Sequence, residues 1–397
     1  MVTDLSAPVT GRPERRPELD VLRMVVVLGL VFFHASLVFD TRDDFYVKNA
    51  ETTEAVTVLV ALCVVWAMPA LFLVSGLGSW HSLRRRGPGG FAVQRLLRLG
   101  VPLVFATLVL LPFPQWIRAG AEPSYAAFWP RFFEVRVELA EFPFVLRGEH
   151  YETGHLWFVL LLLVFSLMLA ALARLVPPGA AARVRALVGA AAGRRGAVLL
   201  LPAVPLALIS ALLGLEEGFG GWHRWAYLLF FLYGFALAAD DRLRQAMRAD
   251  AAVAAVLGVA LVGAGLPMFL VAGEAPGADP FLDLTPLATA GRALYGAAGW
   301  CWVVAILGLT DRRRPGRERS AGGGKRRVRA YLEEAVLPVY VLHQPVVVGV
   351  AYVVVGWHAP IWAGYAAIVV ISFAVVFAVY ELLVRRTRVT RFLFGMR

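Results

Sequence analysis

Long apolar runs alternate with short polar segments along the whole chain. Ten of these runs approach or exceed the roughly 20 residues that an α-helix needs to cross a bilayer. The pattern predicts ten transmembrane helices, near residues 19–39, 55–80, 96–113, 155–176, 197–215, 222–239, 251–272, 287–309, 330–355 and 360–384. We therefore expect an all-α, polytopic membrane protein with one transmembrane domain, residues 18–385.

The composition fits this class. Of 397 residues, 59% are hydrophobic and 17% are charged, whereas a soluble domain carries about 25% charged residues. Thirty of the 39 Lys and Arg residues lie in alternate polar segments and at the two ends, and the segments between them are mainly acidic. Because basic loops stay in the cytoplasm, this alternation predicts that both termini are cytoplasmic.

The net charge of +11 raises the question of nucleic acid as a partner. The basic residues flank apolar runs, where they set topology and attract anionic lipid. No basic patch is interleaved with aromatic residues on a soluble module, as nucleic-acid binding requires. We therefore predict a lipid bilayer as partner and no nucleic acid. The sequence does not indicate an oligomeric state.

The polar segments differ in expected order. Residues 1–17 lack the apolar core of a cleavable signal peptide and predict a disordered cytoplasmic lead. Residues 114–154 predict a long outer loop. Residues 310–329, rich in Arg and Gly, predict a flexible basic linker, and residues 386–397 predict a basic cytoplasmic tail. No internal repeat is evident, which disfavours transporters built from duplicated halves.

The first apolar run, LDVLRMVVVLGLVFFHAS, carries three ionisable residues. Asp20, Arg23 and His34 share one helical face, with His34 about 16 Å beyond Arg23 along the axis. Such a stripe should face a bundle interior or a wet cavity. Asp20 and Arg23 are equally consistent with a purely structural i,i+3 ion pair. A packed histidine is the alternative for His34, but ionisable groups at this depth usually mark a pathway or chemistry.

Two further motifs belong to the next helices. MPALFLVSGLGSW places Ser75 among small residues that permit kinking and close helix packing. VQRLLRLGVP places Arg95 and Arg98 on one face at the predicted cytoplasmic end of the third helix. Two neighbouring guanidinium groups repel each other unless an anion joins them, and their forked donors suit phosphate. Anchoring of the topology by positive charge is the alternative for this pair.

The fourth and ninth helices carry the remaining candidates. GHLWFV contains His155 and Trp157, and an interfacial aromatic residue is the alternative interpretation of Trp157. LPVYVLHQP contains Tyr340 and the second deep histidine, His343, between two prolines that bend the helix.

Other polar residues inside the predicted helices are less informative. Arg292 and Glu381 are buried charges whose partners the sequence does not identify. Cys63 and Cys301 both lie within predicted helices, so we expect neither a disulfide framework nor a zinc site.

In this order, the motifs resemble those of the membrane acyltransferases known as acyltransferase family 3. Arg23 followed eleven residues later by His34, then MPALFLVSG, RLLR, HLWF and VYVLHQP, carry the resemblance. The pattern is most similar to the branch of glucan biosynthesis protein C, and it covers residues 18–385. Some members of the family append an extracellular esterase-like domain; here we expect the bare transmembrane unit.

The resemblance implies O-acyl transfer, such as O-acetylation or succinylation, from cytoplasmic acyl-CoA to an acceptor outside. The acceptor would be a carbohydrate of the cell envelope or a related or lipid-linked molecule, and the location a bacterial plasma membrane. On this basis Arg95, Arg98 and Arg23 would bind the donor, and His34 would be the general base or, less favoured, carry the acyl group. No metal is expected.

The resemblance also implies subsidiary roles. Asp20 would orient Arg23, Ser75 would polarise the thioester, and His343 would bind the acceptor or take a second proton role. His155, Trp157 and Tyr340 would bind the substrate. The competing hypothesis is a secondary transporter or exporter with His34, His343 and Glu381 as proton relays. A structural subunit of an envelope complex is a third possibility.

Overall fold

The computed structural model describes residues 17–42, 44–312 and 323–396. The protein is 77% helical, and the strands found in the described ranges form one antiparallel hairpin, β1 (Val135–Val137) with β2 (Leu146–Gly148). The helices are α1 (Pro17–Leu37), α2 (Glu54–Val64), α3 (Ala67–Arg95), α4 (Val101–Val109), α5 (Pro112–Arg118), α6 (Tyr125–Phe132), α7 (Trp157–Leu175), α8 (Pro178–Ala192), α9 (Ala197–Leu213), α10 (Arg224–Ala239), α11 (Asp241–Ala272), α12 (Pro286–Arg312), α13 (Gly323–Val355), α14 (Ile361–Val379) and α15 (Arg388–Leu393).

The expected all-α, polytopic membrane class is confirmed. Seven helical stretches among the described residues are long and apolar enough to cross a bilayer. They are Glu18–Leu37, Glu54–Arg118, Gly154–Leu175, Asp241–Ala272, Pro286–Asp311, Arg327–Val355 and Ile361–Val384. Ala197–Leu213 is a shorter apolar helix. All ten predicted runs are helical over most of their length, but the count of ten crossings and the side of the termini remain predictions.

The chain divides into two compact units. The described residues of unit 1 are 17–19, 62–92 and 165–312, and those of unit 2 are 20–42, 44–61, 93–164 and 323–396. Unit 1 has an aromatic core whose members are almost wholly inaccessible: Trp222, Tyr227, Phe230, Phe231 and Trp300.

Two glycines let α3 and α10 approach closely in unit 1. A Cβ atom built at Gly76 would lie 1.9 Å from the carbonyl oxygen of Phe231, and one at Gly234 would lie 1.8 Å from that of Leu73. Any side chain larger than hydrogen would force these backbones apart. The small residues of MPALFLVSGLGSW therefore serve close helix packing, as their sequence pattern suggested.

Unit 2 is built around α1, α13 and α14. Its core joins apolar side chains from all three helices: Val31, Ala35, Val347, Val348, Ala351 and Ile368. The segment after α1 folds back over the end of that helix. There Lys48 Nζ donates to the carbonyl of Leu37 at 2.9 Å, which satisfies a carbonyl that the helix end leaves without an intrahelical partner.

The helices extend further into the basic segments than the apolar pattern predicted. Residues 178–192 and 241–250 are helical, and α13 already begins at Gly323. The predicted linker 310–329 is thus helical at both ends, while residues 313–322 lie outside the described part of the chain, as do residues 1–16 of the predicted N-terminal lead. Arg and Lys are good helix formers, and Arg329 pairs with Glu333 at 2.8 Å across one turn.

The segment predicted as a basic tail is folded. Thr387 caps α15 by accepting from the backbone N–H of Thr390 at 3.0 Å, and Arg391 pairs with Glu334 at 3.0 Å. Phe394, just after α15, is buried against Phe105. The sequence pattern missed this because four arginines interrupt the apolar residues here, so no apolar run is long enough to predict a packed element.

Candidate active site

Three histidines that are distant in sequence meet in unit 2. The ring centroids of His34 and His343 are 5.0 Å apart, and those of His155 and His343 are 4.9 Å apart. We call His34, His155 and His343 the histidine cluster. It joins α1, the single 3₁₀ turn Gly154–Leu156 that precedes α7, and α13.

A proline explains how His155 is held. Pro345 has no backbone N–H, so the carbonyl of Val341, four residues earlier in α13, loses its α-helical partner. His155 Nε2 donates to that carbonyl at 3.0 Å. The Tyr340 hydroxyl in turn donates to the backbone carbonyl of His155. The 3₁₀ turn is therefore tied to α13 by two reciprocal hydrogen bonds.

His343 is held by its own helix. Its Nδ1 atom lies 2.6 Å from the carbonyl oxygen of Tyr340, one turn earlier. A carbonyl oxygen only accepts hydrogen bonds, so Nδ1 carries the hydrogen. His343 is fully buried and His155 is 5% exposed.

The third histidine, His34, lies between aromatic rings. Phe45 stacks on it with ring centroids 5.9 Å apart, and Phe33 contacts it edge-on at 5.3 Å. Asp40 fixes the loop that carries Phe45, because its carboxylate accepts from the Thr57 hydroxyl at 2.6 Å and from the backbone N–H of Arg42 at 2.9 Å. His34 is thus enclosed on the side of the loop that follows α1.

The predicted arginine group is also assembled in unit 2. Arg95 ends α3, and Arg98 lies in the π-helical turn Leu96–Gly100 that follows. The charges of Arg98 and Arg23 both act on Arg95, and Arg23 pairs with Asp20 at 3.3 Å. We call Arg23, Arg95 and Arg98 the arginine cluster. Three guanidinium groups gathered in this way favour an anionic ligand, and π-helical turns are frequent at functional sites.

The sequence analysis missed a second charged group in unit 2. Arg118 lies 3.6 Å from Glu152 and 3.3 Å from the carboxylate of Asp44, and its guanidinium also covers the ring of Tyr46 at 4.8 Å. Burial, with a smaller contribution from the Asp44 charge, raises the pKa of Glu152 to about 7. The spacing of Glu152 from His155 was a signal in the sequence, but the distant Asp44 and Arg118 were not recognisable as its partners.

The other predicted site residues are placed as follows. Trp157 is buried at the start of α7 in unit 2. Tyr340 is buried, and its hydroxyl donates to the backbone carbonyl of His155; its predicted role in substrate binding stays a prediction. Ser75 is half-buried on α3 in unit 1, whereas the histidine cluster belongs to unit 2. The predicted role of Ser75 in polarising the thioester stays a prediction.

The structure identifies partners for Arg292 and Glu381, the two charged residues whose partners the sequence did not identify. The Arg292 guanidinium donates to the carbonyls of Ser210, Ala211 and Pro280 at 2.8–3.1 Å. Arg292 thus caps the C-terminal end of α9 in unit 1 by donating to two carbonyls of its last turn. Glu381 pairs with Arg385 at 3.1 Å in unit 2. These contacts give both residues structural roles.

Two further observations concern possible metal ligands and the cysteines. No group of three or more His, Cys, Asp or Glu side chains in the described ranges is arranged to hold a metal ion. Cys63 and Cys301 are not joined by a disulfide.

Comparison with known proteins gives one finding. The acyltransferase domain of acyltransferase family 3 matches residues 16–381. The match does not resolve the glucan biosynthesis protein C branch, and neither curated proteins nor solved structures gave a match. The match covers nearly the whole chain, including both clusters, and the chain therefore belongs to acyltransferase family 3, a family of membrane acyltransferases.

Proposed function

We propose that this acyltransferase moves an acetyl or succinyl group from acyl-CoA to a hydroxyl of an extracytoplasmic carbohydrate or related acceptor. The observation that supports it most strongly is the disposition of α1. This helix contributes Arg23 to the arginine cluster and, eleven residues later, His34 to the histidine cluster, about 16 Å along the axis. An anion site and a base site thus share one rigid element.

The arginine cluster would bind the phosphates of the donor. Forked guanidinium donors form bidentate hydrogen bonds to phosphate oxygens, and Asp20 holds Arg23 in place through their 3.3 Å ion pair. A pantetheine arm extended along α1 would carry the thioester toward His34. The basic segments near Arg95 are the ones predicted to be cytoplasmic, where acyl-CoA is available.

Eleven residues after Arg23 on α1, His34 would act as the general base. The acceptor oxygen attacks the thioester carbonyl carbon while its proton passes to the imidazole. The C–S bond then breaks, the ester is released, and the proton passes from His34 to the departing thiolate to give CoA thiol. The reaction is balanced without a metal or an oxidant.

Membership of an acyltransferase family favours this function over transport by proton relays. Glu381, one of the three residues of the relay hypothesis, is already paired with Arg385. We place the protein in a bacterial plasma membrane, with the donor on the cytoplasmic side.

The test measures CoA release and ester formation by purified protein in detergent, with acetyl-CoA or succinyl-CoA and a methyl glycoside as acceptor. His34→Gln should lower the rate by about 100-fold or more, the contribution typical of general base catalysis. His358→Gln is the matched control, because that histidine is exposed in unit 2 and lies outside the histidine cluster. A folded His34→Gln protein with the wild-type rate would refute the assignment.

A further inference from the structure

Three ring nitrogens of the histidine cluster are buried without a hydrogen-bond partner among the described residues. They are His34 Nδ1, His155 Nδ1 and His343 Nε2. Buried polar atoms are nearly always hydrogen-bonded in folded proteins, and an exception calls for an explanation such as a catalytic role or a missing ligand. Three exceptions in one side-chain group indicate a ligand site.

The backbone determines what two of these nitrogens offer. His155 Nε2 faces the Val341 carbonyl and His343 Nδ1 faces the Tyr340 carbonyl, so each of these atoms carries a hydrogen. In a neutral imidazole the other nitrogen is then a lone-pair acceptor. A doubly protonated ring would place a charge and an unpartnered N–H in the same buried group, which is more costly. His155 Nδ1 and His343 Nε2 are therefore acceptors.

Acceptors need donors, and this determines the ligand chemistry. A thioester carbonyl offers no hydrogen, whereas a hydroxyl does. His343 contacts both other rings, at centroid distances of 5.0 and 4.9 Å. A molecule whose reacting hydroxyl gives its proton to His34 would thus place neighbouring hydroxyls near His343 and His155.

We propose that His155 and His343 bind the acceptor as fixed neutral hydrogen-bond acceptors, so that the site selects molecules with at least two neighbouring hydroxyls, the chemistry of a sugar ring. This rests on the proposed O-acyltransferase function and specifies its acceptor. The two residues differ in which atom does the binding: Nδ1 in His155 and Nε2 in His343.

That difference allows a crossed substitution test. An asparagine amide occupies about the position of a histidine Nδ1, and a glutamine amide that of Nε2. His155→Asn and His343→Gln therefore retain the acceptor toward the ligand and lose the bond to the backbone. His155→Gln and His343→Asn retain the backbone bond and lose the acceptor. A purely structural role predicts that the second pair is the better tolerated.

The experiment measures ester formation from acetyl-CoA with cyclohexane-1,2-diol and with cyclohexanol, two acceptors of the same ring size. The wild type should favour the diol in kcat/KM by about tenfold or more. His155→Asn and His343→Gln should keep most of that preference, while His155→Gln and His343→Asn should lose it mainly through a higher KM for the diol. Thermal unfolding of all four variants checks that each is folded.

Two failures are distinguishable. Equal kcat/KM for diol and cyclohexanol in the wild type, or the reverse order among the four variants, overturns the acceptor role while acyl transfer stands. A wild-type protein that releases no CoA from acetyl-CoA or succinyl-CoA with any of these acceptors overturns the proposed function itself, and the acceptor role with it.

Discussion

His155 Nε2 donates to the carbonyl of Val341, 186 residues further along the chain, at a distance of 3.0 Å. That carbonyl is available because Pro345 supplies no N–H to the helix. A proline that appeared only to bend α13 thus provides the contact that orients a histidine of the candidate active site.

Pro345→Ala restores the missing donor, and we expect it to compete with His155 for the Val341 carbonyl. Proline in a helix interior costs about 3 kcal/mol relative to alanine, so the variant should keep or gain thermal stability while its rate of acyl transfer falls. Pro338→Ala, in the same helix, is the control. It restores a donor to the carbonyl of Glu334, four residues earlier, which is not part of the histidine cluster. Unchanged activity of Pro345→Ala would show that the freed carbonyl is dispensable.

Removing the predicted donor-binding groups should weaken donor affinity. For Arg95→Ala combined with Arg98→Ala, we expect the Kd of CoA to rise tenfold or more, because each hydrogen bond to a charged group contributes about 1.5–3 kcal/mol. Isothermal titration in detergent measures this. Arg85→Ala, an exposed residue of the same basic segment, should leave the Kd unchanged. If all three proteins bind CoA equally, the two arginines serve only topology.

Because α3 and α10 approach closely at Gly76, we expect alanine to lower the stability of the protein much more at this glycine than at Gly29. Gly76→Ala places a methyl group 1.9 Å from the Phe231 carbonyl oxygen and should lower the stability by about 1–3 kcal/mol, the usual cost of overpacking. Gly29→Ala is the matched control, since nothing lies within 4 Å of its added methyl group and alanine favours a helix. Melting curves in detergent distinguish the two. A Gly76→Ala protein as stable as Gly29→Ala would contradict this packing.

Glu152 gives the stability a defined pH dependence. Burial, and next the Asp44 carboxylate, raises its pKa in the folded protein to about 7, against about 4.3 in an unfolded chain. Between these values the folded state binds the extra proton, so this residue's contribution to stability is complete below about pH 4.3 and is lost as the pH rises through 7. Arg118 at 3.6 Å opposes this effect.

The measurement is the melting temperature of the wild type and of Glu152→Gln between pH 4 and 8, a range that includes both the folded and the unfolded pKa of Glu152. The wild type should lose stability relative to the variant as the pH rises toward 7, with little further change beyond it. Glu134→Gln, an exposed residue of the same loop, should show no such difference. If the melting temperatures of the wild type and of Glu152→Gln changed in parallel with pH, the pKa of Glu152 would not be raised in the folded protein.

The sequence predicted the helical class, the clustering of ionisable residues and the family, because long apolar runs and spaced motifs are local signals. It did not predict that Val341 would accept from His155, since backbone carbonyls are alike in a sequence until their partners are known. Glu152 and Arg292 were missed or left unassigned for a related reason: their environments are formed by residues distant in the chain. The apolar pattern also ended several helices too early, because arginine continues a helix without adding hydropathy.

The C-terminal segment lies where donor entry is proposed. Gly395 adopts a φ of +68°, and a Cβ atom built there would lie 2.5 Å from the carbonyl oxygen of Arg98. A tag or fusion partner joined shortly after this glycine would start beside the π-helical turn. Any such label should therefore be joined through a long spacer if the affinity for acyl-CoA is to be measured without interference.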